Sequence, residues 1–353
     1  MSDRASLRNL LASGLPLVGP APMAKPIRMF ALSLLPALLS IAWAIGQVWR
    51  DKYWLTGLCF YAPSPVVAAL LALGGLTAWW LKRRSLACYA LLLACAPLTS
   101  VLLFEHRWFA TDHTAATLVE SRASLTSKER GLVAPQVIGS RTLRVVHWNV
   151  MWGKRGWSRE VDELLPLQAE LYALSEIDPS ADYSRFEGYS VLGDMAMVIV
   201  ARGTLTGQQR RLNKSDIRTW VVDWSPPSWP EGEPPVRVMM VDLTAMLQFH
   251  RDPPLALLRR EIAELRPDLV LGDFNAPRQS RRLAPLPAGY RHAYDVLGAG
   301  WSATWPWPLP VLAIDQLITG QRLTPLRYAI QSSGLSDHRR QFLEVTLGAE
   351  SGL

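Results

Sequence analysis

The sequence predicts an α/β (α+β) two-sheet sandwich flanked by helices and preceded by three transmembrane helices. Two observations carry that expectation. Residues 29–49, 53–81 and 85–104 contain no charged side chain, and each run reaches the roughly 20 residues a helix needs to cross a bilayer. From Arg141 onward, short β-branched segments alternate with a few helical ones, the pattern of two packed sheets with helices outside.

The spans are expected at about 29–49, 60–81 and 85–104. A cytoplasmic tail (1–28) would precede them, with a linker (105–140) and a folded domain (141–349) after them. A buried core helix rarely stays uncharged for so long. A cleaved signal peptide is not followed by two further apolar runs. The chain has 353 residues and a net charge of +7, but the charge is unevenly placed. Residues 1–140 hold 13 Lys+Arg against 6 Asp+Glu, whereas 141–353 hold 24 of each. The basic excess therefore flanks the apolar runs, which is a positive-inside bias rather than a nucleic-acid footprint. Arg4, Arg8, Lys25 and Arg28, with the Lys82–Arg84 turn, put those segments in the cytoplasm and the domain across the membrane. Arg50 and Lys52 pull against that orientation. The reading is a multi-pass protein of a bacterial inner membrane with an extracytoplasmic carboxy-terminal domain. Cys59, Cys88 and Cys95 all lie in the apolar region, so the domain uses neither disulfides nor thiol chemistry.

Within the domain, "TLRVVHWNV" reads as a strand ending at Asn149, and "SREVDELLPLQAE" has helical spacing before the strand "LYALSE", which ends at Glu176. "YSVLGDMAMVIVAR" reads as two strands about Gly193-Asp194. "TWVVDW" and "VRVMMVDLTA" flank a Pro-rich loop, and "PLALLRREIAEL" is an amphipathic helix. The strands "DLVLGDFN", "VLAIDQLIT" and "RRQFLEVTL" complete the domain.

The residues with chemistry to offer fall at strand ends: Asn149, Glu176, Asp273, Asn275, Asp315, Asp337 and His338. Asp273 and Asn275 share one face of their strand end, because side chains alternate with period two. Each alone has a bland explanation, since Asp and Asn favour turns. Together, the motifs "VVHWNV", "ALSEID", "LVLGDFN", "ATWPWPLPVLAIDQLI" and "GLSDHRRQFLEV" resemble the endonuclease/exonuclease/phosphatase superfamily of DNase I-like, metal-dependent phosphoesterases. They stand in the family's order and cover nearly all of 141–349.

Phosphoester hydrolysis needs charge neutralised on the phosphoryl oxygens and a nucleophile made from water. Hard oxygen ligands suit Mg²⁺ or Mn²⁺, with Glu176 the best metal carboxylate. The resemblance adds Asn149 and Asp337 to the metal neighbourhood and makes Asp315 the partner that fixes the His338 tautomer. Asn275 would donate to a phosphate oxygen, and Asp273 would orient water or take its proton. One position departs from the family pattern. Where relatives carry a second His or a Tyr, in an N-x-H-L-like segment, this chain reads Asp242-Leu243-Thr244-Ala245. Thr244 would face the phosphate as an uncharged donor, with His250 as an alternative substitute. The loop "WSATWPWPLP" has two readings, one in which Trp305 and Trp307 stack on a base or dip into lipid headgroups, and one in which they simply pack on the sandwich.

The expectation is thus a membrane-anchored phosphodiesterase or phosphomonoesterase whose partners are the bilayer and a phosphate ester (lipid headgroup, nucleotide or nucleic acid). The sequence identifies no protein partner. The alternatives are a catalytically weakened domain that binds phosphorylated ligands, and an extracytoplasmic nuclease.

Overall fold

The computed structural model describes residues 25–108 and 142–347, apart from 195, 196, 215 and 228. The tail before Lys25 and most of the expected linker, including "SKERG", lie outside the described residues.

Helix α1 (Lys25–Trp49) ends in a 3₁₀ turn, Arg50–Lys52, and is followed by α2 (Trp54–Phe60), α3 (Ser64–Trp80) and α4 (Arg84–Ser100). A π-helical turn, Val101–Glu105, prolongs α4. The uncharged run 53–81, within which one span is expected at about 60–81, forms a pair, α2 and α3, bent by 66°, with α3 covering most of the expected span. Pro63 and Pro65 explain the break. A proline disfavours helix in the residue before it and starts a new helix readily. Arg84–Glu105 is long and apolar enough to cross a membrane, and the bent pair supplies a second such segment only if it is counted as one span. By length and apolarity the described residues therefore give one span or two where the sequence predicts three. Trp43, Val67, Leu71 and Ala94 pack together between the helices.

The first two strands are β1 (His106–Arg107) and β2 (Leu143–Asn149), the latter followed by α5 (Trp157–Leu164). Strands β3 (Leu171–Ser175), β4 (Tyr189–Gly193), β5 (Met197–Arg202), β6 (Thr204–Asn213), β7 (Ile217–Ser225) and β8 (Val236–Leu243) come next. Helix α6 (Asp252–Leu265) leads to β9 (Leu269–Asp273), β10 (Arg291–His292), α7 (Ala293–Leu297) and β11 (Gly300–Trp301). The domain ends with β12 (Asp315–Thr319), β13 (Leu323–Gln331) and β14 (Arg340–Leu347).

Two six-stranded mixed sheets form, in the orders β10-β12-β9-β8-β7-β6 and β13-β14-β2-β3-β5-β4, and β1 pairs with β11. The pairs β2–β3 and β8–β9 are parallel. Alternate residues divide the burial. Val145, Leu171, Val238, Met240 and Leu271 face the other sheet, whereas Val146, Trp148 and Tyr172 pack under α5. On the opposite face Met239, Val241 and Val270 pack under Leu255, Leu258 and Ile262 of α6.

The helical region is seated on this domain. The indole N–H of Trp54 donates to Leu247 O, Arg281 N to Asp51 Oδ1, and Gln279 Nε2 to Phe104 O. Residues 105–108, expected to open the linker, are docked as well, since β1 pairs with β11 directly after α4 and its π-turn.

Candidate active site

Strands β2 and β3 of one sheet and β9 of the other end at one rim of the sandwich. Asn149 and Asp273 end their strands there, and Glu176 follows β3 directly. Strand β12 is antiparallel to β9 and starts at the same rim, so Asp315 lies opposite Asp273. His338 arrives on the loop before β14, where Ser336 Oγ donates to Asn149 O and accepts from the His338 backbone N–H.

Glu176 and Asn275 both have left-handed backbones, with φ of 53° and 44°. Such conformations are costly for side chains of this kind and cluster at functional sites. Each turns the chain sharply after its strand. Gly272 makes the approach of β8 to β9 workable, because a Cβ there would fall 1.8 Å from Val241 O.

A polar chain connects the group. Asn149 Nδ2 donates to Asp273 Oδ2 at 3.0 Å, and Asn275 N donates to Asp273 Oδ1 at 2.9 Å. His338 Nε2 lies 3.8 Å from Asp273 Oδ2, and its Nδ1 is 2.9 Å from Asp315 Oδ2. Burial alone would lower the His338 pKa. The charge and hydrogen bond of Asp315, with the charge of Asp273, outweigh it and carry His338 up to about 10. Burial likewise works to raise Asp315, yet His338 holds it below its ordinary value. Asp273 goes the other way, pushed up first by burial and then by the negative charge of Asp315. The surroundings thus keep His338 charged against Asp315 and make Asp273 a stronger base than an ordinary carboxylate, so the two groups are driven apart.

These groups face a cavity of about 580 Å³ lined by Glu176, Asp273, Asn275, Trp305, Asp337 and His338. The Glu176 carboxylate makes no hydrogen bond or ion pair among the described residues. Asp337 accepts the Trp305 indole N–H on Oδ2 at 3.0 Å. A half-buried carboxylate without a hydrogen-bond partner among the described residues, with a second beside the same cavity, is a donor set suited to a hard divalent ion. Asn149 is more committed, since its Oδ1 already accepts from Met151 N. Asp273, Asp315 and His338 also bring potential ligand atoms within 4.8 Å of one another. A charged His338 has no lone pair for a metal, and both Asp273 oxygens already accept from Asn149 and Asn275, so we read that trio as the acid–base part of the site.

Asn275 donates one amide hydrogen to Leu243 O at 2.7 Å, which leaves the other for a ligand. Thr244 does not line the cavity; its neighbour Ala245 does. The Thr244 hydroxyl accepts the Met246 N–H at 3.3 Å within its own turn. His250 is drawn away too, with Nε2 2.8 Å from the backbone oxygen of Asp51. The cation at the cavity wall is Arg251, which sequence reasoning missed. It is buried, stacks over the Tyr61 ring at 5.8 Å, and its Nε donates to Asn275 O. Its Nη1 is held by the carbonyls of Met246 and Phe249, and Nη2 has no hydrogen-bond partner among the described residues. The one available signal was position, immediately before an amphipathic helix. Of the tryptophan loop, Trp305 lines the cavity and Trp307 does not.

The profile of the Endonuclease/Exonuclease/phosphatase family matches residues 146–338. No curated protein matches the sequence. Among solved structures, the chain is similar to a humanized D. rerio TDP2, at 16% identity and a TM-score of 0.48, covering 59% of this chain and 100% of that one. It is similar to an endonuclease/exonuclease/phosphatase family protein from Bacteroides thetaiotaomicron at 11% identity and a TM-score of 0.49, covering 59% and 98%. A Bacteroides thetaiotaomicron mannosyl-6-phosphatase is similar at 12% identity and a TM-score of 0.46, covering 58% and 100%.

Proposed function

The chain belongs to the endonuclease/exonuclease/phosphatase family, and we propose that it is a membrane-anchored hydrolase of phosphoester bonds that depends on Mg²⁺ or Mn²⁺. The observation that carries this reading is the convergence of Glu176, Asp273, Asn275, Asp337 and His338 on one cavity. A bound divalent ion would neutralise phosphoryl oxygens and ease deprotonation of water. Glu176 would hold it, with Asp337 and Asn149 close by. Asp273, fixed by Asn149 and by the Asn275 amide, orients the attacking water and takes its proton. Asn275 and Arg251 hold phosphate oxygens, and His338, kept charged by Asp315, faces the charge that develops in the transition state.

Anchoring is supported by the large apolar side chains exposed on the helices. Leu35 is 70% exposed, Val48 71% and Leu92 71%. A soluble protein rarely leaves an apolar belt uncovered. We assign α1, α3 and α4 to three crossings, with α2 lying at the interface. The 50–63 segment and residue 105 then share the side of the domain, while Lys25 and Lys82–Arg84 lie on the cytoplasmic side. The test is Glu176→Gln in the purified full chain, which should raise the Mg²⁺ concentration for half-maximal turnover roughly tenfold or more. An unchanged Mg²⁺ requirement would remove Glu176 from the metal site.

A further inference from the structure

We infer that the substrate is an amphiphile, its phosphoester seated among Glu176, Asp273 and His338 while its hydrocarbon chain runs into a groove between the membrane helices. The inference rests on the hydrolase reading above and adds the substrate class to it. The catalytic cavity is walled partly by the helical region, through Leu58 of α2 and Tyr61, Ala62 and Pro63 of the α2–α3 turn. A second cavity of about 710 Å³ lies between the helices and the domain. Ala62, Pro63 and Leu312 line both, so the two meet at that turn.

The chemistry grades along this path. Its catalytic end carries the carboxylates, His338 and Arg251. Gln47, Arg50 and Glu105 stand where the second cavity meets the domain. The helical wall of that cavity is made by Trp43 of α1 and by Leu92, Cys95, Ala96 and Thr99 of α4, a helix apolar enough to lie in a bilayer. Each cavity falls in the size range that holds a small organic ligand. Beside the catalytic end, Leu247 is 59% exposed and Leu309, in the tryptophan loop, 78%. A polar site that adjoins, at a proline turn, a cavity walled by the helices fits a headgroup with a chain attached. It fits a nucleic acid poorly, because residues 141–353 carry equal numbers of basic and acidic side chains.

Two chromogenic phosphodiesters separate this from hydrolysis in general, p-nitrophenyl hexadecyl phosphate and p-nitrophenyl methyl phosphate. In both, the oxygen of water bonds to phosphorus, the P–O bond to p-nitrophenolate breaks, and an alkyl phosphate remains. Wild-type full chain in detergent should favour the hexadecyl ester by at least about tenfold in kcat/KM, since burying methylenes is favourable. Ala96→Trp and Thr99→Trp, which fill the groove away from the catalytic groups, should shrink that ratio toward one. Equal efficiency in the wild type, or a preference that survives both substitutions, would overturn the inference. If the wild type hydrolyses neither ester, the hydrolase reading fails, and the groove is judged by binding. Native mass spectrometry should then find hexadecyl phosphate retained by Asp273→Asn and lost when Ala96→Trp is added, and absence of retention would overturn the inference.

Discussion

Arg251 brings a fixed positive charge to the wall where the family pattern led the sequence reading to look for a histidine. Its guanidinium is held by three backbone carbonyls, so a phosphate meets an oriented cation without ordering a long side chain first. Arg251→Gln should lower kcat/KM for a phosphodiester by about 10²-fold or more, the scale for one preorganised donor. Thr244→Val and His250→Gln should each change it little, because both side chains are engaged elsewhere. A large loss with Thr244→Val would return that residue to the site. Asp273 and Asn275 were legible because a buried apolar strand that ends in two polar residues demands a reason. Arg251 was not, since "QFHRDPP" has no periodicity to single it out. Two histidines give a pH dependence. His147 and His292 are buried and held at about 4, mainly by burial, whereas an unfolded histidine titrates near 6.5. Between those values the unfolded chain binds more protons, so stability is complete above about pH 6.5 and falls as pH drops toward 4. The loss is about 2 kcal/mol per histidine at pH 5. His292 Nε2 is 3.2 Å from Leu283 O, a bond that His292→Gln retains. The variant should therefore lose less Tm than wild type between pH 7.5 and pH 5, and equal losses would show that His292 does not titrate as described.

At the scale of elements, β9 does the positioning. It is paired on both sides, by β8 in parallel and by β12 antiparallel, so the backbones under Asp273 and Asp315 are fixed relative to each other. Gly272→Ala should destabilise the fold by about 3 kcal/mol or more, through overpacking against Val241 and strain at φ 147°. An unshifted thermal midpoint would mean that β8 and β9 can part without cost. The central strands were readable because burial on both faces gives continuous β-branched runs. Among the edge strands, β4 was readable, but β6 and β13 were not. β6 carries Gln208, Gln209, Arg210 and Arg211 and shifts register twice against β7. β13 contains Pro325 and shifts register against β14 just after it. Charge, proline and bulges are how edge strands avoid pairing with other chains, and they also erase the alternation that marks a strand. The break between α2 and α3 was written in "APSP", but the uncharged run around it reads as a single span.

At the scale of the whole molecule, the helical region and the domain build one site between them, since the α2–α3 turn forms part of the catalytic wall. That joint construction was invisible in the sequence, where the α2–α3 turn and the first strand-end carboxylate, Glu176, are separate signals more than a hundred residues apart. Polar contacts hold the arrangement, among them the Arg281 N–H on Asp51, which is fully buried. Asp51→Ala should loosen the wall and raise KM more than it lowers kcat, whereas an equal effect on both would argue that the turn does not contact substrate. The proposed topology puts Lys25 and Lys82–Arg84 on the cytoplasmic side, so under it a carboxy-terminal alkaline phosphatase fusion should be active and a fluorescent-protein fusion dark in a bacterial host. The reverse pattern would invert the topology. The most direct measurement is hydrolysis of bis(p-nitrophenyl) phosphate by the purified full chain, with and without Mg²⁺, in wild type, Asp273→Asn and His338→Ala. The expected result is Mg²⁺-dependent release of p-nitrophenolate that falls about 10²–10⁴-fold in either variant. Turnover that persists undiminished in both variants, or that ignores Mg²⁺, would contradict the site described.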